Sequence, residues 1–160
     1  TDLQKIAAYY AKFPQVVELI AELTQKKVLL KYKKSNWQAQ ALGSQYAVDQ
    51  VTVYFDTRVG AQLWLHQDCH GNPACHVTPA DALLHELLHA KLMIVDSDEF
   101  IRQGGMKPTL YLFDHEKEEI AEENALYEQM TEQDGLLRPI RKRHSGALQY
   151  ASCALCLPNK

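Results

Sequence analysis

Thr78-Pro79-Ala80-Asp81-Ala82-Leu83-Leu84-His85-Glu86-Leu87-Leu88-His89-Ala90 is the stretch on which the reading of this chain turns. It predicts a helix with its own start signal. Thr78 is the N-cap, Pro79 takes the first helical position where a missing N–H is harmless, and Asp81 is placed to complete a capping box. The apolar residues Leu83, Leu84, Leu87, Leu88, Ala90, Leu92 and Met93 run nearly all the way round, so the helix is expected to be buried and central. His85 and His89 are four residues apart, and a helix projects them from one face, one turn from each other. Two neutral imidazoles at that spacing suit a zinc ion.

Glu86 lies about 100° further round the helix than His85. That puts its carboxylate beside the open position of a metal instead of on the metal. There it can take a proton from water as the water attacks a scissile carbonyl, and pass it to the leaving amine. With 7 His and 11 Glu in 160 residues, chance supplies only about 0.02 matches to His-Glu-x-x-His, so the spacing reads as a ligand pair with its base.

A catalytic zinc takes three protein ligands and keeps one position open. The third is expected from Glu118-Glu119-Ile120-Ala121-Glu122-Glu123-Asn124-Ala125, within a helix over residues 115 to 131 that Asp114 caps. Glu118 and Glu122 share a face with Ala121 and Ala125, whose small side chains allow close approach to the central helix. Glu122 is the favoured third ligand, with Glu118 orienting an imidazole. Glu119 and Glu123, on the face of Ile120, Tyr127 and Met130, remain alternatives, and His66, His70 and His76 precede the central helix. His115, His144, Tyr127 and Tyr150 are candidates for the hydrogen-bond donor beside the metal.

Outward from these two helices, Leu3, Ile6, Ala7 and Tyr10 recur at helical spacing up to Phe13, and Val16, Val17, Ile20 and Leu23 resume it after Pro14. This is two packed helices or one kinked one. Val28, Leu30 and Tyr32 alternate with Lys, and Val51, Val53 and Phe55 alternate with Thr52 and Tyr54, which predicts two strands of a small antiparallel sheet. Residues 66 to 78 read as loop, Gly104, Gly105 and Pro108 mark another, and Leu110 to Phe113 is a short apolar segment, strand or extended. The run Arg138, Arg141, Lys142 and Arg143 is expected to be a solvated basic face.

Net charge of −3 and a pI near 6.1 give no reason to expect nucleic acid or an anionic membrane as partner. No apolar run approaches the roughly 20 residues that span a bilayer, and Thr1 to Lys5 lack the order of a signal peptide. The size fits a single domain over residues 1–160, and a start at Thr1 reads as the C-terminal part of a longer protein. Cys69 with Cys75 and Cys153 with Cys156 form two local pairs: disulfides, structural-zinc ligands or reduced thiols.

The central motif and the Glu-Glu-Asn-Ala-Leu run resemble the zincin metallopeptidases, specifically compact gluzincin-like toxin and effector domains. Over residues 78 to 130 the layout resembles the C-terminal metallopeptidase extension of some type VI secretion spike (VgrG) proteins, and is similar to type III effector proteases. The resemblance implies an α+β fold with a buried active-site helix on a small, mostly antiparallel sheet. It also implies Zn2+ as cofactor, a protein or peptide substrate, action as a secreted effector in a target-cell periplasm, and a cognate immunity protein. The chain lacks the long substrate-binding subdomain of large gluzincins. Two other readings stand beside this one: a partner-binding domain with a structural zinc, and a cytoplasmic regulatory protease of the ImmA/IrrE kind.

Overall fold

The computed structural model describes the backbone of residues 1–107 and 113–158, and the side chains of all of these except 113–115. Helix α1 (Asp2–Tyr10) begins in a capping box: Thr1 Oγ1 accepts from the Gln4 amide at 3.2 Å while the Thr1 ammonium donates to Gln4 Oε1 at 2.8 Å. Pro14 cannot continue a helix, so Phe13 turns extended and Pro14 starts α2 (Pro14–Thr24) afresh. Two helices, not one kinked helix, open the domain.

Two three-stranded sheets follow. In the first, β1 (Val28–Tyr32), β2 (Gln38–Ser44) and β3 (Ala47–Phe55) lie in the order β1-β3-β2. β2 and β3 form an antiparallel hairpin, and β1 lies parallel to β3 with Val28 opposite Val51 and Tyr32 opposite Phe55. The two strands read from alternation are therefore neighbours, but parallel ones. β2 falls between them in the chain, so two reversals of direction restore the original heading. Val51, Val53 and Phe55 face the core. In the second sheet β4 (Val59–Leu63) pairs antiparallel with both β5 (His76–Val77) and β6 (Gly146–Tyr150).

The central helix α3 (Pro79–Ala90) packs against both sheets and against α5. Thr78 caps it as expected, its Oγ1 accepting from the Asp81 amide at 3.1 Å. Asp81 does not close a capping box. Its carboxylate is buried, accepts from the Tyr9 hydroxyl at 2.8 Å and lies 3.4 Å from Arg138 Nε. At the same end the Ala80 amide donates to the Ala154 carbonyl at 2.9 Å, so the Cys153–Cys156 disulfide loop is latched to the first turn of α3.

α3 widens into a single π turn over Lys91–Val95, then gives way to the short α4 (Ser97–Arg102). α5 (Phe113–Asp134) follows; it takes in Phe113 from the apolar segment expected at Leu110 to Phe113, whose other residues lie outside the described ones, and it starts before Asp114, which is therefore inside the helix and not its N-cap. Leu84, Val16, Val51, Val53, Tyr127 and Met130 are the fully enclosed centre of the core. The fold class is α+β, with a buried helix on small sheets and a second, Glu-bearing helix beside it. No helix among the described residues is long and apolar enough to cross a membrane.

Candidate metal centre

Which face of α5 turns inward decides what meets His85 and His89. Ile120, Leu126, Tyr127 and Met130 are buried, whereas Ala121 and Ala125 are exposed. One Ile, one Leu, one Tyr and one Met remove far more apolar area from water than two methyl groups, so the bulky face wins the contact with α3. Glu119 and Glu123 ride on that face and are completely buried.

Glu122 is on the other side. Its side chain is 36% exposed and pairs with Lys91 Nζ at 3.5 Å, so the residue expected as third ligand does not reach the histidines. Glu118 accepts from Gln103 Nε2 at 3.1 Å in an exposed position, and among the described residues it is paired with no imidazole. The alternation of Ile120, Tyr127 and Met130 with Glu119 and Glu123 was the sequence signal for the inward face. The expectation gave more weight to the small residues.

The converging groups are His85, His89, Glu119 and His144, whose ligand atoms all lie within 4.8 Å of one another. Glu119 is at the middle: Oε1 is 2.9 Å from His85 Nδ1, and Oε2 is 3.8 Å from His89 Nε2 and 3.1 Å from His144 Nε2. Oε1 is fully buried and accepts no hydrogen bond of good geometry among the described residues; its one close approach there, to His85 Nδ1, is shared with Glu123 Oε2. A buried carboxylate with one oxygen so placed and three imidazoles around it is a group that could hold a cation. Nitrogen and oxygen donors at these separations fit a small divalent metal ion.

Around this ring stands a second layer of charge. His85 Nδ1 is in contact with Glu123 Oε2, and Arg141 grips Glu123 through Nε and Nη2, both at 2.8 Å. Arg141 Nη2 also stands 2.7 Å from His85 Nδ1, so imidazole and guanidinium compete for the same carboxylate. His144 Nδ1 contacts Glu116. Arg138 and Arg141, expected on a solvated face, are both buried: Arg138 serves Asp81 and Asp134, and Arg141 serves Glu123. An acid buried in the core needs its own cation, and the basic run supplies it. The antiparallel pairing of β6 with β4, Gly146 opposite Leu63, carries this segment back over α3 and so delivers Arg141 and His144.

Burial alone would hold His85 neutral, but the charges of Glu123 and Glu119 outweigh it and push the imidazole up to about 10 from its ordinary 6.5. Burial likewise disfavours the charged forms of Glu119 and Glu123, yet the neighbouring imidazoles hold both carboxyls below their ordinary range. A proton on His85 thus supplies positive charge beside the two buried carboxylates. A group whose folded pKa is raised stabilises the fold fully below its unfolded value and loses that contribution as pH climbs through the folded one. Thermal melts of chelator-treated protein should therefore fall from pH 6.5 towards pH 10. Were a metal ion held there by neutral imidazoles, the decline should disappear.

Glu86 is buried on the same helix, and burial raises its carboxyl above the ordinary range while the Ala39 backbone and His85 pull it back. A cavity of about 190 Å³ opens beside it, lined by His85, Glu86, Arg141 and the apolar side chains of Trp37, Ala61 and Leu148. A larger apolar cavity of about 460 Å³ lies between α1, α2 and β1, on the side of α3 marked by Leu83 and Leu87. It faces away from the histidines and holds no paired acid and base.

The remaining candidates are elsewhere. Tyr127 donates to the Asp81 carbonyl at 3.1 Å in the core, and Tyr150 shares a 2.6 Å hydrogen bond with Ser35 at the surface. His66 stands against Cys75, and His76 Nδ1 meets the Asn72 carbonyl at 2.6 Å. His70 is exposed and lies outside the cluster, and the His115 side chain is outside the described residues. Trp37, Ala39, Glu116 and Glu123 with Arg141 complete the surroundings, and of these only Glu123 had a signal in the chain's periodicity. Comparison with family models, with curated proteins and with solved structures finds no match to this chain.

Proposed function

We propose that the chain is a zinc-dependent endopeptidase in which His85, His89 and Glu119 hold the ion, Glu86 is the general base and His144 the hydrogen-bond donor to the substrate. The observation that carries this reading is the orphaned, buried oxygen of Glu119 among the imidazoles of His85, His89 and His144, on the same helix pair that buries Glu86. Bound there, zinc would supply Lewis acidity towards water and the scissile carbonyl. Glu86, its affinity for protons raised by burial, takes a proton from the attacking water and gives it to the departing amine. Glu123, fixed by Arg141, contacts His85 Nδ1 and so orients the ring.

His144 is assigned as donor and not ligand because it stands on an irregular segment, 32% exposed, while the other three groups are set on two packed helices. β2 is an edge strand whose Ala39 backbone meets Glu86, and an extended peptide added to that edge would pass the base. The cavity beside Glu86 then takes one apolar substrate side chain. Secretion as an effector acting in a target-cell periplasm, with an immunity protein as partner, extends the same proposal; two disulfides, Cys69–Cys75 and Cys153–Cys156, suit an oxidising compartment.

A structural zinc with His144 as fourth ligand is the second reading, favoured by the presence of four converging groups. The two separate on one experiment. The purified chain is incubated with an unfolded protein or a peptide library, with zinc, with chelator, and with zinc restored. The proposal expects cleavage that chelation stops and zinc revives. His144→Ala should keep one equivalent of zinc and lower turnover by roughly 100-fold or more. Loss of the ion from His144→Ala, together with no cleavage in any condition, decides for the structural site.

A further inference from the structure

The loop that leads into β5 holds a second cluster, which the reaction proposed above does not use. His66, Cys69 and Cys75 place one ligand atom each within 4.8 Å of one another. Both sulfurs are buried, and the His66 ring is on the exposed side, its Nε2 3.4 Å from Cys75 Sγ. Two backbone amides, those of Leu65 and His66, point at Cys69 Sγ from 3.3 and 3.4 Å. A disulfide sulfur is uncharged and a weak acceptor, so two amide donors and an imidazole around one sulfur pair are more than a disulfide needs. They are what thiolates need.

The backbone sets the third group as firmly as the first two. Asn72 caps a 3-10 turn over Pro73–Cys75, its Oδ1 accepting from the Ala74 amide at 3.0 Å and its carbonyl from the Cys75 amide at 3.0 Å, which fixes the direction of the Cys75 side chain. All three donors are nitrogen or sulfur with no carboxylate among them. That set selects zinc and its softer neighbours over magnesium or calcium.

We propose that in its dithiol form this loop is a second metal site, in which His66, Cys69 and Cys75 bind one zinc ion with the fourth position left to solvent, and that the Cys69–Cys75 disulfide is its metal-free, oxidised form. The exchange balances with a thiol reductant. Two thiols reduce the Cys69–Cys75 bond and become a disulfide themselves; the two cysteines then lose their protons as the ion binds. Oxidation by a disulfide reverses the sequence and expels the ion. The same loop is thus cross-linked by metal under reducing conditions and by sulfur under oxidising ones, and in both it fixes the approach to Thr78 and α3. This inference does not depend on the chain being a peptidase.

The test uses the full chain carrying His85→Ala and His89→Ala to disable the first centre, reduced with a phosphine and titrated with cobalt(II). The expected result is one equivalent of cobalt with a thiolate-to-cobalt charge-transfer absorption, both lost on oxidation with a small-molecule disulfide. His66→Ala, at an exposed position, should weaken cobalt binding at least as much as loss of an outer partner does, roughly 10- to 100-fold. Cys69→Ser should abolish the absorption, and Cys153→Ser with Cys156→Ser should leave it intact. If the histidine replacements unfold the chain, the unsubstituted protein serves: it should bind one more equivalent of zinc when reduced than when oxidised, whatever the first centre holds. A reduced chain with four free thiols and no thiolate absorption overturns the proposal. So does an absorption that survives Cys69→Ser and disappears with the Cys153 and Cys156 replacements.

Discussion

Glu86→Gln is expected to leave the zinc content of the chain unchanged and to lower turnover by roughly 100- to 10,000-fold, the span that a positioned general base contributes. The side chain keeps its shape and its place against the Ala39 backbone, but an amide cannot accept the proton that the attacking water gives up. Binding and chemistry are separable here because Glu86 is not one of the converging ligand groups. Zinc analysis of the purified variant and single-turnover cleavage of a peptide substrate measure the two quantities independently. Zinc lost along with activity would make Glu86 a ligand; activity retained would remove the hydrolytic mechanism altogether.

The second large effect falls on the third ligand. Glu119→Gln should weaken zinc binding by more than the roughly 10- to 100-fold that replacing an outer partner costs, and activity should fall with it. The substitution removes the only carboxylate among the four converging groups, and with it the negative charge that favours an ion over water at that point. Glu122→Gln is the matched control, since Glu122 is half-buried against Lys91 and its loss should leave zinc affinity within error. Equilibrium competition with a chromophoric chelator reads both. Zinc stripped by Glu122→Gln and kept by Glu119→Gln would restore the assignment made from the spacing of Ala121 and Ala125, and overturn the geometry described above.

How much of this was legible in the residues follows from which physical quantity each feature depends on. Thr78-Pro79 and the four-residue spacing of His85 and His89 are local, so a helix with both imidazoles on one face could be read directly, as could the break at Pro14. The inward face of α5 is a competition between buried areas. Tyr127 and Met130 decide it, and a preference for small residues favours Glu118 and Glu122, which lie on the outward face. Strand direction is not local at all. Nothing in Val28–Tyr32 or Val51–Phe55 reveals the extra reversal that β2 inserts between them.

The same limit applies to Arg138 and Arg141. A cluster of basic residues looks solvated until a buried acid elsewhere in the chain claims each guanidinium, and those acids are Asp81 on α3 and Glu123 on α5. His144 was a candidate in the sequence, but its approach to Glu119 depends on the β4–β6 pairing. Composition could not reveal that pairing.

The order of these charges along the polypeptide has a consequence for how the molecule is made. Both buried carboxylates of α5 are synthesised before the guanidinium that compensates one of them, because Arg141 follows Glu123 by eighteen positions. A nascent polypeptide ending at Asp134 would hold two adjoining anions against α3 beside the imidazoles of His85 and His89 but without the Arg141 guanidinium, an arrangement that favours solvation over docking. The helix pair should therefore close late, once the segment up to His144 has left the ribosome, and no shorter translation product would carry a finished site.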